Sequence, residues 1–152
     1  MASNDSGAAT RYEVDGENLL GGHAHITAQG GDIRFDGSAV TRDTLPGPAD
    51  LLAAALAACI LKKVERFSKI LRFSYRRATV HVAVEREDPP PRIVHARYTL
   101  RVETDEPEPR LELLHRNILK FGTITNTLAA ATELHGEIVA VRAPHGPSTE
   151  RA

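Results

Sequence analysis

The chain has 152 residues but no tryptophan, one cysteine, three tyrosines and four phenylalanines. Such a scarcity of aromatic rings argues against a base-stacking platform for single-stranded nucleic acid. A lone thiol, Cys59, excludes an internal disulfide and any multi-cysteine zinc or iron–sulfur centre. Charge of either sign is not in excess either. Lys and Arg total 19 against 20 for Asp and Glu, a net charge of −1, so no global field draws in nucleic acid or anionic lipid. The longest apolar run, residues 51–61, is far short of the ~20 residues a bilayer-spanning helix requires. Residues 1–9 lack the basic start and apolar core of a secretory leader. A cytoplasmic location is therefore expected, with neither membrane nor nucleic acid as partner.

The length suits one domain. Both ends are small and polar, so 1–9 and 144–152 are expected to be tails around a single domain at 10–143. Within it, 11–14, 23–28 and 33–35 alternate as short strands, with turn signals at Asp15-Gly16 and Gly30-Gly31. Pro46-Gly47-Pro48 breaks the chain, and Pro48 suits the first turn of a helix. Asp50 in that turn favours the positive end of the helix dipole. The helix begins apolar on every face, over 51–61, which predicts burial all round. It then turns amphipathic, with Ile60, Val64, Phe67 and Leu71 at helical spacing among lysines and arginines.

Two strongly alternating strands follow at 77–86 and 93–103. Leu111, Leu114, Ile118 and Phe121 then step along one face of a second helix, which Gly122 is expected to end as a left-handed cap. A shorter helix at about 125–134 and a strand at 136–141 complete the order βββ-α-ββ-α-α-β. That order predicts the α+β class with an antiparallel sheet.

Few residues are candidates for chemistry. Cys59 lies about three turns into the apolar helix, where a thiol is ordinarily an inert small hydrophobe. Lys62 and Lys63, three and four residues on, share its side and supply the positive charge a reactive thiolate needs. His23 and His25 share one strand face, but no histidine spacing matches a zinc motif, so no metal or cofactor is expected. Hydroxyls and an amide cluster at 123–127, where Thr125 and Asn126 either cap a helix or line a pocket. The Arg- and Glu-rich strand faces read as solvated surface, although Arg97 and Arg101 share one face and could bind an anion.

The segment Gly47-Pro48-Ala49-Asp50-Leu51-Leu52-Ala53-Ala54-Ala55-Leu56-Ala57-Ala58-Cys59 resembles the central-helix signature of the OsmC/Ohr family, the osmotically inducible and organic hydroperoxide resistance proteins. Asn126-Thr127-Leu128 is similar to that family's second motif. The resemblance covers about residues 10–142. It implies an intertwined homodimer, with sheets wrapped around two long central helices and active sites at the subunit interface. It also implies thiol-dependent reduction of organic hydroperoxides. In that activity a cysteine attacks the peroxide, a second cysteine resolves the sulfenic acid, and an Arg and a Glu assist.

Carried over by position, Cys59 matches the attacking thiol, and Gly122 stands where the resolving cysteine belongs. Ala49 or Asp50 falls at the Glu, depending on the alignment. Arg11 and Arg34 are the nearest arginines to the family's position in the first hairpin. The expectation is a one-cysteine hydroperoxide reductase served by an external thiol. The alternative is a non-catalytic protein of the same fold that binds a small apolar ligand at the dimer interface.

Overall fold

A computed structural model describes residues 7, 9–41 and 44–144. The tails expected at 1–9 and 144–152 lie largely outside the described residues. The fold consists of two units, one ending at Pro48 and the other beginning at Ala49.

The first unit is an antiparallel meander of β1 (Asp15–Leu19), β2 (His23–Ala28) and β3 (Gly31–Asp36). The first strand is thus later than the alternation at 11–14 predicts. Asp15-Gly16 pairs with Thr27 and Ile26 instead of turning. The reversal falls to Gly21 and Gly22, whose φ values of 96° and 89° suit residues without a Cβ. The second reversal, at Gln29 and Gly30, comes one residue before the expected Gly30-Gly31, and Gly31 already opens β3.

The second unit opens with α1 (Pro48–Leu71). Its core stripe is Leu56, Ile60, Val64 and Phe67, all buried, which recur every three or four residues. Its end is well defined. Arg72 adopts a φ of 51°, and the Phe73 amide donates back to the Ser68 carbonyl at 2.9 Å, a left-handed stop of the Schellman type. The Arg110 guanidinium then donates to the Leu71 and Arg72 carbonyls at 2.8 and 2.9 Å, completing the helix terminus.

Next come β4 (Arg77–Glu87), β5 (Arg92–Glu103), α2 (Glu108–Phe121), α3 (Thr123–Ala129) and β6 (Glu133–Val141). The sheet order is β4-β5-β6, with β4 antiparallel and β6 parallel to β5. The α+β class is as expected, but this sheet is mixed rather than wholly antiparallel. The reason is topological: a chain that leaves β5 through two helices returns as a crossover, and crossovers join parallel strands.

Ala96, Tyr98, Leu100 and Val102 point inward from β5. They join the α1 stripe and Leu111, Leu114 and Ile118 of α2 in one buried cluster. Burying each Leu, Ile, Val or Phe of this cluster contributes about 1.5–3 kcal/mol.

Candidate functional site

Cys59 is a free thiol, half-buried on α1 beside the core stripe. At ~100° per residue, Lys62, Lys63 and Arg66 project within about 60° of Cys59 along the same side of the helix. Asp50 is nine positions earlier, which at ~100° each places it on the opposite side of α1 and ~13 Å along the axis. Within one chain this exposed carboxylate therefore does not face the thiol.

In this chain the apolar first half of α1 is not enclosed all round, contrary to the sequence expectation. Ala54 and Ala58 are exposed, and Leu61 keeps 37% of its surface. The core covers only one side of a helix whose outer side is also apolar.

Arg11 and Arg34 belong to the other unit. Arg11 lies 2.5 Å from Glu13, with both side chains largely in water, a kind of pair that contributes little. Arg34 stands opposite His25 in the β2–β3 register. With His23, Asp32 and Asp36 it lines a depression of ≈360 Å³. His25 in turn sits 3.8 Å from Glu17 across β1.

At the position matched to a resolving cysteine, Gly122 forms the joint between α2 and α3. Its φ of −77° and ψ of 116° are extended, not left-handed as the sequence reading expects. The glycine is required by space instead. A Cβ there would lie 2.6 Å from Thr125 Oγ1 and 2.9 Å from the Ile118 carbonyl oxygen. Thr125 itself is buried, at 3% exposure, and fills the room a larger residue would take. Asn126 is exposed, and its Nδ2 donates to the Lys120 carbonyl at 3.1 Å, satisfying the end of α2. This differs from the capping the sequence suggests, which is of first-turn N–H groups: the N-cap of α3 is Gly122, with no side-chain bond. α3 runs earlier and shorter than the expected 125–134.

The sequence does not reveal a polar pair formed by a buried tyrosine and a half-buried histidine. Tyr98 of β5 and His115 of α2 meet with Oη and Nε2 2.7 Å apart and rings edge to face. Burial pushes the Tyr98 phenol up to about 12 and lowers the His115 imidazole below its ordinary value. Tyr98 opposes Gly136 in the parallel register, and the ring occupies the place of the missing side chain. The separation of β5, α2 and β6 in the chain hides this meeting from any local pattern.

No helix among the described residues is long and apolar enough to cross a membrane. Nor does any group of three or more His, Cys, Asp or Glu among them have the arrangement to hold a metal ion.

Comparison with known proteins agrees with this geometry. Residues 41–135 match the family described as OsmC-like protein. No curated protein matches in sequence. An OsmC-like protein from Mycoplasma pneumoniae superposes with a TM-score of 0.79 at 16% identity, covering 87% of this chain and 98% of that one. An organic hydroperoxide resistance protein OsmC from Legionella pneumophila gives 0.66 at 16% identity, covering 88% and 100%. The organic hydroperoxide resistance protein OhrB of Bacillus subtilis gives 0.63 at 18% identity, covering 86% and 98%. At such identities the solved structures speak for the fold alone, while the match over 41–135 takes in the central helix, both strongly alternating strands and the Gly122 joint, and on that ground the chain belongs to the OsmC-like family.

Proposed function

We propose that the protein is a one-cysteine, thiol-dependent hydroperoxide reductase. The observation that carries this reading is Cys59: a free, half-buried thiol in the family's attacking position, with Lys62, Lys63 and Arg66 along its side of α1. The thiolate is the form that attacks peroxides. Two structural relatives are named organic hydroperoxide resistance proteins, which makes an organic hydroperoxide the natural substrate class.

The chemistry closes as follows. The Cys59 thiolate attacks the distal peroxide oxygen, an S–O bond forms and the O–O bond breaks. The alkoxide leaves, takes a proton and departs as the alcohol, and Cys59 becomes a sulfenic acid. With no second cysteine in the chain, an external thiol condenses with the sulfenic acid, releasing water and forming a mixed disulfide. A further thiol attacks that disulfide, regenerates Cys59 and leaves as the oxidised dimer.

A second copy of the chain belongs to this reading. Asp50 faces away from Cys59 on its own helix, and the outer side of 51–61 is apolar and open. A homodimer in which these faces meet covers the apolar surface. In this reading the assisting carboxylate and arginine come from the second copy. A reducing, cytoplasmic setting suits both the lone thiol and the need for an external reductant.

The test is titration of the reduced protein with cumene hydroperoxide. One equivalent should consume the thiol and leave a sulfenic acid that a dimedone probe traps, and added dithiothreitol should restore turnover. Survival of the free thiol through the titration would overturn the reading. The placement of Asp50 favours one second reading, a non-catalytic protein that binds a small apolar ligand at the covered face. In that case Cys59→Ala keeps both ligand binding and cellular phenotype.

A further inference from the structure

The outer face of the β4–β5–β6 sheet points away from the buried cluster and uses none of the thiol-site residues. The register sets two adjacent rows across it: Ala83–Arg97–His135 and His81–Thr99–Glu137. Ala83 is the smallest side chain in these rows, and over it lies a depression of ≈350 Å³ lined by all six.

The polar groups in it are unequally engaged. Thr99 Oγ1 donates to Glu137 Oε1 at 3.0 Å, which anchors that carboxylate against β5. Arg97, His81 and His135 have no ion-pair or hydrogen-bond partner among the described residues. The next row differs, since His95 Nδ1 there lies 2.9 Å from Glu133 Oε2. The depression thus brings one guanidinium and two imidazoles without partners among the described residues beside an anchored carboxylate.

We infer that this depression binds a small zwitterion or hydroxy-oxyanion, with its carboxylate or phosphate at Arg97 and His135 and its ammonium or hydroxyl at Glu137. A guanidinium takes an oxyanion through two parallel N–H donors, and an imidazole offers a donor in either protonation state. Glu137 repels a second anionic group, so the other end of the ligand carries a donor. Rows on one strand face are two residues apart, about 6.6 Å, which fixes the scale of the ligand at a few carbons.

The test is calorimetric or NMR titration of the whole protein with 4-aminobutyrate and phosphoethanolamine, which carry both ends. Acetate and inorganic phosphate, which carry only the anion, serve as references. Binding of at least one two-ended probe should be saturable and tenfold or more tighter than its reference. Arg97→Gln should weaken it at least tenfold, Glu137→Gln should erase the preference over the reference, and Arg77→Gln, at the end of the same face, should change nothing. The inference is overturned if neither two-ended probe outbinds its reference, or if Arg97→Gln binds like the wild type. Peroxide consumption should be the same in wild type and Arg97→Gln, so failure here and failure of the reductase reading are distinguishable.

Discussion

At Gly122 the space a side chain would need is already taken. Thr125 and the Ile118 carbonyl already occupy the space a side chain would enter. Gly122→Ala should therefore destabilise the fold by about 1–3 kcal/mol, the range for overpacking, as a lower urea midpoint. An unchanged midpoint would show that the joint yields freely. His115 gives a second prediction, with a definite sign. Burial lowers its folded pKa below 6.5, so between that value and 6.5 the unfolded chain binds protons that the folded one does not. Stability is complete above about pH 6.5 and falls as the solution is acidified below it. His115→Gln should flatten that acid slope in denaturant titrations. Tyr98 acts at the other extreme: its phenol is raised to about 12, so stability is lost as pH climbs from 10 through that value. Sequence shows neither effect, because both groups read there as ordinary positions on a strand and a helix.

Among the elements, legibility follows from where the physics is local. α1 is plain in sequence because Pro48 starts it and a three-to-four spacing of Ile60, Val64 and Phe67 runs through it. β4 and β5 are equally plain, since strict alternation buries one face and wets the other. β1 is misplaced because Tyr12 and Val14 imitate a strand face although both are exposed, while two glycines further on make the real turn. The parallel return of β6 has no local signature at all. Neither has the reason for Gly136, which is the ring of Tyr98 lying across it. Gly136→Ala puts a Cβ 1.9 Å from Tyr98 Cζ, so the ring must leave its place over β6. The expected outcome is a loss of 2 kcal/mol or more, on the order of large core mutations, measured by thermal or urea unfolding. Tyr98→Phe in the same background should not rescue it, because the clash is with the ring and not the hydroxyl.

For the molecule as a whole, the candidate site was legible as a thiol on a helix but not as a completed centre. Arg11 and Arg34 come from a different unit of the chain, and Asp50 faces away from the thiol on its own helix. The dimer proposed above would bring an Asp50 from a second copy, and Ala58 tests it. Ala58 is exposed, so Ala58→Glu should alter the stability of a lone chain by no more than about 0.5 kcal/mol. If two copies meet there, the variant should sediment as a monomer, keep its helical circular dichroism and lose peroxide consumption. A wild type that sediments as a monomer would contradict the arrangement. The closed joint at Gly122 also bears on how such a protein changes over generations. A cysteine arriving there by one substitution meets Thr125 and a backbone carbonyl before it meets any partner thiol. A second thiol at 122 therefore needs residue 125 to shrink and the joint to loosen together, and on the reductase reading proposed above a chain with this joint draws its reducing power from another molecule.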